Sequence, residues 1–298
     1  MKDLNDFTIG CSVLGIIMAG SSKDVITAPQ LKELDRLLYK DSPLTDLQNE
    51  KVDKLIAKRD GLLDPHLSLK AKRYLMTRYS RYRYGKRYKV RNISEMKFSS
   101  LTKGTATEPT AAKLLSEIDQ VEYFQVKTSI KNDYLFGYLD VLDAPTIEQS
   151  SRVIEIKNSF DIASFMLKVG QPLSKSIWYQ MQGYLAITDK DIGEVAFCLC
   201  DFPDYMISEQ REIIFKAMCP DGKETADFIR YWSNAEKSMR FQDIPAKQRV
   251  FSYMVHRDEA AIKKIKERVL YCRSWLQKWS AQYNDFIEQR YIPTEDNT

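Results

Sequence analysis

The chain has no long uncharged apolar run. Its one apolar stretch of note, Ile9 to Ala19, is too short to span a bilayer. Lys2 is followed by Asp3 and Asp6, which does not suit a secretory signal. A cytoplasmic protein with no membrane partner is therefore expected, in a bacterial host if the sequence comes from a phage. Histidine is scarce, with only His66 and His256. Cysteine is odd in number and scattered, at Cys11, Cys198, Cys200, Cys219 and Cys272, and no C-x-x-C pair exists. That argues against a zinc or iron–sulfur centre and for buried thiols in a reducing compartment. There is no internal repeat, and apart from a short polar tail the one biased segment is basic.

The 298 residues suit one large domain, or a core with a substantial extension. Charged residues make up 29% of the chain, slightly above the average for a soluble globular protein. A net charge of +4 hides a local concentration: ten basic residues and no acid lie between Lys70 and Arg91. The rest of the chain is net acidic. Tyr74, Tyr79, Tyr82, Tyr84 and Tyr88 interleave with the basic residues. A charged linker or a solvated helix face fits this composition. So does a nucleic-acid groove in which arginines meet phosphates and rings meet bases or sugars. On the second reading Arg73, Arg78, Arg81, Arg83 and Arg87 contact DNA.

Residues 1–99 read as a helical region carrying this basic segment, residues 100–205 as a core, and residues 206–298 as a helical C-terminal region. Ser68 to Tyr84 is predicted helical, with Gly85 as the stop. Thr107-Glu108-Pro109 is expected to open another helix, with Thr107 as cap and Pro109 in its first turn. Strands are expected in VEYFQVKTSI, YLFGYLDVLD, RVIEIKN and GEVAFCLCDF, with a helix over Ile177–Ile187 before the last of them. Beyond Asp201 the chain reads as mostly helical, ending in a helix from about Asp258 to Glu288. The fold class is α/β (α+β).

Side chains at i and i+2 of a strand share a face, so Glu155 and Lys157 project together while Ile154 and Ile156 point the other way. If the neighbouring strand forms a hairpin with theirs, Asp140 joins them. Two carboxylates beside an ammonium can hold a divalent metal and activate water against a phosphodiester. They also fit a solvated strand face with a cross-strand ion pair. The wider order is helix acid Glu108, Asp140, Glu155-x-Lys157, then Gln180 and Tyr184 one helical turn apart.

In that order the segments GTATEPTAAKLL, GYLDVLD, VIEIKNSFD and WYQMQGYLAIT, followed by EVAFCLCDFP, resemble the PD-(D/E)xK nuclease superfamily. Within it they resemble the lambda-exonuclease and YqaJ-type viral recombinase nucleases, over about residues 100–205. The resemblance implies a restriction-endonuclease-like core, a central mixed sheet flanked by helices, with helical extensions at both ends. It implies that Asp140, Glu155 and the Ile156 carbonyl ligate Mg²⁺, for which Mn²⁺ substitutes, with Glu108 completing the shell. Lys157 orients water or stabilises charge, Gln180 positions it, and Tyr184 braces the site or touches the DNA backbone. Asp143 is a second acid near Asp140, and the Gly137-Tyr138-Leu139 approach favours Asp140. IGCSVLGIIMAGSS is similar to the opening segment of such nucleases, which puts Ser12 among the DNA contacts.

The activity implied is 5′-to-3′ exonuclease action on double-stranded DNA ends. It leaves 3′ overhangs for a single-strand annealing protein used in recombination, and the enzyme is implied to be a trimeric ring. A structure-specific or restriction-like endonuclease on the same core is the alternative. A non-catalytic DNA-binding module is a third reading, and its signature would be a missing acid or lysine.

Overall fold

The computed structural model of the chain describes residues 4–19, 26–40, 43–59, 67–85 and 99–289. Arg87 and the rest of the basic segment beyond Gly85 lie outside them, as do His66 and the polar tail. In chain order the elements are β1 (Ile9–Gly10), α1 (Leu14–Met18), α2 (Ala28–Leu38), α3 (Asp46–Arg59), α4 (Leu69–Tyr84) and α5 (Ser100–Asp119). Then come β2 (Phe124–Gln125), β3 (Ile130–Lys131), β4 (Leu135–Gly137), β5 (Val141–Leu142), β6 (Val153–Asn158), α6 (Ile162–Met166), α7 (Lys175–Thr188) and β7 (Ile192–Cys198). The last are α8 (Asp204–Met218), α9 (Ala226–Lys237), β8 (Val250–His256) and α10 (Glu259–Gln289). The chain divides into two compact units, Met1–Phe7 with Val13–Lys89 and Ile265–Thr298, and Thr8–Ser12 with Val90–Lys264.

The second unit is built on a five-stranded mixed sheet in the order β2-β5-β6-β7-β8. β6 is parallel to β7 and antiparallel to β5, and β7 is antiparallel to β8. A smaller sheet, β1-β4-β3, pairs β1 parallel and β3 antiparallel to β4. Covering helices leave β6 and β7 buried over most of their length, which suits Val153, Ile154 and Ile156 of β6 and the Val195–Cys198 run of β7. On one face Ala111, Leu114 and Leu115 of α5 pack on Val141, Ile154, Ile156, Ala196 and Cys198. The α7 crossover that parallel strands require packs on β4, β6 and β7.

Several expectations are corrected. The VEYFQVKTSI and YLFGYLDVLD segments each split into two short strands, one in each sheet, so the chain changes sheets twice. Asp140 lies in the bend before β5, not within a strand. β1 and β8 were not expected as strands. The α5 helix does not open at Thr107; it begins at Ser100, where the Ser99 hydroxyl accepts from the Thr102 N–H. Pro109 lies inside it and gives the Thr105 carbonyl no N–H, a loss of roughly 3 kcal/mol in an isolated helix. Burial of Ala111, Ala112, Leu114 and Leu115 just beyond the proline offsets that loss. Thr107 is buried, and its hydroxyl donates back to the Lys103 carbonyl at 2.8 Å.

In the first unit Leu34, Leu37, Val52 and Leu55 join α2 to α3. Ala71, Leu75 and Tyr79 form the buried side of α4, and the Tyr79 ring meets Trp279 of α10 edge-on at 5.4 Å. Helix α4 ends where expected, at a left-handed Gly85 with φ of 68°. All five cysteines are free and buried. Among the described residues, no helix is long and apolar enough to cross a membrane.

Candidate active site

Strand register brings the two central acids together. Val141 pairs with Ile154 and Leu142 with Val153, so Asp140 falls opposite Glu155. The Asp140 Oδ2 accepts the Ile156 N–H at 2.7 Å. In a strand the N–H and C=O of one residue leave on the same side, so the Ile156 carbonyl also faces Asp140.

Glu155 is buried, and its Oε1 accepts from Lys157 Nζ at 2.5 Å and from Gln180 Nε2 at 2.7 Å. Gln180 Oε1 accepts from Lys157 Nζ at 3.2 Å, and its Nε2 lies 3.0 Å from the Tyr184 hydroxyl. A single amide on α7 therefore fixes acid, lysine and tyrosine on the face of β6 opposite α5. Tyr184 is buried. Gly137 makes room for it: a Cβ there would stand 2.6 Å from Tyr184 Cε1.

Glu108, Asp140, Glu155, Ile156 and Lys157 all line one cavity of ≈ 430 Å³. Burial, then Glu155 and Glu108, push the Asp140 carboxyl well above the usual carboxylate range, against the Ile156 N–H and Lys157. Burial followed by Glu155 raises Glu108 as well, with Lys157 opposing. Glu108 sits in mid-helix at the cavity wall, not at a helix N-terminus. Asp143 is occupied elsewhere, accepting from Ser150 Oγ at 2.5 Å and the Ser151 N–H at 2.9 Å.

Among the described residues, no three acidic, histidine or cysteine side chains are close enough to enclose a metal by themselves. The cavity supplies two facing carboxylates, a backbone carbonyl and a third acid across the space. That is a sparse oxygen set, which suits an ion such as Mg²⁺ that keeps several of its waters. Burial is the main reason the Asp140 carboxyl is raised, and the added repulsion from Glu155 and Glu108 is the part a divalent cation would relieve.

Ser12 is exposed beside Cys11, whose buried thiol is within electrostatic reach of Glu155. In the other unit, Arg73 and Arg81 are exposed on the same side of α4, and Arg78 is half-buried. Arg83 is tied to the Tyr79 hydroxyl at 3.0 Å and to Asn284 Oδ1 at 2.7 Å. Trp178 and Tyr179 are half-buried, ring against ring at 5.1 Å.

Three cavity or near-cavity residues were not expected. Asn158 lines the cavity and donates to the Gly104 carbonyl at 3.2 Å. Lys103 is 1% exposed and donates to the carbonyls of Ser159 at 2.9 Å and Phe160 at 2.8 Å. Its Nζ lies 4.1 Å from the centre of the Phe202 ring, and burial pulls its pKa down to about 8. It clamps α5, and so Glu108, to the end of β6. Lys168 also lines the cavity. Lysines in loops or on helices give no sequence signal of such burial; only the Asn158 position, next to Lys157, stood in view.

The fold is shared with a phage-related exonuclease from Haemophilus somnus 129PT. That likeness covers 93% of this chain and 97% of that one, at 19% identity and a TM-score of 0.56. An alkaline exonuclease from Laribacter hongkongensis matches over 73% of this chain and 89% of its own, at 15% identity and a TM-score of 0.46. No family model matches the sequence, and no curated protein does. The restriction-endonuclease-like core that the motifs implied is thus the fold observed.

Proposed function

We propose that this chain is a metal-dependent deoxyribonuclease that degrades double-stranded DNA from its ends in the 5′-to-3′ direction. The observation that carries the reading is the convergence of Glu108, Asp140, Glu155 and Lys157 on one cavity, with Gln180 bonded to both Glu155 and Lys157. A fold in common with a phage-related exonuclease supports it.

In this reading Asp140, Glu155 and the Ile156 carbonyl would hold Mg²⁺ or Mn²⁺, with Glu108 completing the shell. Bound there, a divalent ion would lower the pKa of a water molecule and neutralise charge building on the phosphate. Lys157 orients the attacking water or takes up charge on the phosphate oxygens. Gln180 fixes the Lys157 ammonium against Glu155, and Tyr184 holds Gln180 from behind. None of the expected acids or the lysine is missing, which favours an enzyme over a binding module. Arg73 and Arg81 on α4 meet DNA phosphates, and Ser12 contacts DNA near the cavity. The 3′ overhangs produced pass to a single-strand annealing protein, and the working form is a homotrimeric ring.

Linear duplexes labelled at the 5′ or the 3′ end, with a closed circle as control, test the mode of action. In Mg²⁺ the 5′ label is released first and the circle stays intact. Nicking of the circle would replace the exonuclease by an endonuclease on the same core.

A further inference from the structure

The cavity contains a cation that the roles above leave unused. Lys168 follows α6 in the connection to α7, and its Nζ donates to Ser159 Oγ at 3.2 Å. The ammonium lies 5.4 Å from the centre of the Phe197 ring, itself part of the cavity wall. The loop beneath it is pinned from β8. There the Tyr253 hydroxyl is directed at the carbonyls of Gln171, at 2.5 Å, and Lys168, at 3.3 Å.

The three lysines around this end of β6 differ in what they have left to give. Lys157 gives two of its three donors to Glu155 and Gln180 and keeps one for the reacting phosphate. Lys103 is enclosed, with two carbonyls and two aromatic rings around its ammonium. Lys168 has one acceptor for three donors, and among the described residues no carboxylate forms an ion pair with it. It is half-buried; burial lowers its pKa and Asp161 works the other way. A partly desolvated ammonium with no carboxylate paired to it is costly unless an anion arrives. The cavity's own anions are its three carboxylates, engaged on the Asp140, Glu155 and Glu108 side. Resting on the nuclease reading above, the anion that reaches this cavity is the phosphate chain of DNA.

We propose that Lys168 is a phosphate-binding residue, gripping a non-bridging oxygen of a phosphate that flanks the one being cut. Tyr253 is its positioning residue, because it fixes the backbone from which the lysine extends. Lys157 then serves the scissile phosphate and Lys168 its neighbour, so two ammonium groups set the register of the strand in the cavity.

The test is a scan of neutral phosphates. Duplex hairpins with one open end carry a single methylphosphonate, moved one position at a time. Their dissociation constants are measured in EDTA by fluorescence anisotropy, for the parent, Lys168→Met and Lys168→Arg. For the parent, one flanking position is expected to weaken binding by about tenfold or more, the scale of a charge-assisted hydrogen bond. Lys168→Met binds the all-phosphate hairpin weaker by a similar factor and no longer distinguishes that position, while Lys168→Arg restores the distinction. If Lys168→Met binds as tightly as the parent, or shows the parent's full sensitivity at every position, the proposal is overturned. Tyr253→Phe, which leaves the cavity charge unchanged, should blunt the same position, and thermal midpoints identify any variant that has simply unfolded. Mg²⁺-dependent cleavage is scored separately. A parent that binds with this pattern and never cuts leaves the phosphate contact standing and removes the nuclease reading.

Discussion

Gly137→Ala puts one methyl group into the line of contacts that ends at Lys157. The added Cβ would stand 2.6 Å from Tyr184 Cε1, 3.1 Å from Tyr184 Cδ1 and 3.2 Å from Ile187 Cδ1. The first distance is shorter than carbon atoms tolerate, so the ring must move by the better part of an ångström. Tyr184 is buried against the sheet and has little room to do so. Overpacking of this kind costs about 1–3 kcal/mol. Alanine recovers about 0.4–1 kcal/mol through the unfolded chain. A net loss of about 1–2 kcal/mol is expected, read as a lower midpoint in urea or thermal unfolding.

Displacing the ring also pulls at Gln180, 3.0 Å from its hydroxyl, and through Gln180 at Glu155 and Lys157. Cleavage of linear duplex in Mg²⁺ should therefore fall further than the drop in stability explains. Adding Tyr184→Leu should recover part of the stability and none of the activity. Gly104→Ala is the control, since nothing lies within 4 Å of its Cβ. In a helix interior it should stabilise by up to ~1 kcal/mol. A Gly137→Ala protein as stable and as active as the parent would refute the reasoning from ring to amide to lysine.

Two further outcomes concern charge. Burial and then Glu155 raise the Asp140 carboxyl, so the folded chain holds that proton more tightly than the unfolded chain. Metal-free stability thus falls as pH rises through the folded value, and a cation that needs the carboxylate reverses the loss. The gain in melting temperature from Mn²⁺ should be larger near about pH 9 than near about pH 6, and Asp140→Asn should abolish the difference; an equal gain at both pH values counts against the site. On α4, the Arg73→Ala, Arg81→Ala double variant should weaken DNA binding and flatten its salt dependence, by about one unit of slope for each phosphate no longer engaged. Unchanged affinity at low and moderate salt rules out a DNA-binding role for these arginines.

What the sequence made legible follows from how local each signal is. The β6 motif stood out because a charged pair at i and i+2 interrupts an apolar run, and its cross-strand partner Asp140 lies just before the preceding strand, across the DAPTIEQSSR loop. Gln180 and Tyr184 stood out by helical spacing. Helices α4 and α10 were placed nearly to the residue, because their caps and apolar stripes are carried by the segments themselves. The start of α5 was misplaced because Pro109 imitates a first-turn proline, and what overrides it is packing against β6, which no local pattern encodes. β8 is an edge strand whose burial alternates from Phe251 to His256, but the apolar Val250 and the exposed Met254 blur that alternation in the sequence. Lys103 and Lys168 were invisible for the same reason: a lysine's burial is decided by residues far away in the chain, such as Phe202 and Tyr253.

The central claim is that hydrolysis depends on the acid and the lysine that Gln180 holds together. Its most direct test is the initial rate of Mg²⁺-dependent cleavage of an end-labelled linear duplex by the parent, Glu155→Ala and Lys157→Ala, each first shown to be folded. Both variants should fall by a factor of about 10² or more, the scale of removing one electrostatic interaction with the transition state. Retention of the parent's rate by both would mean that the chemistry lies elsewhere in the chain.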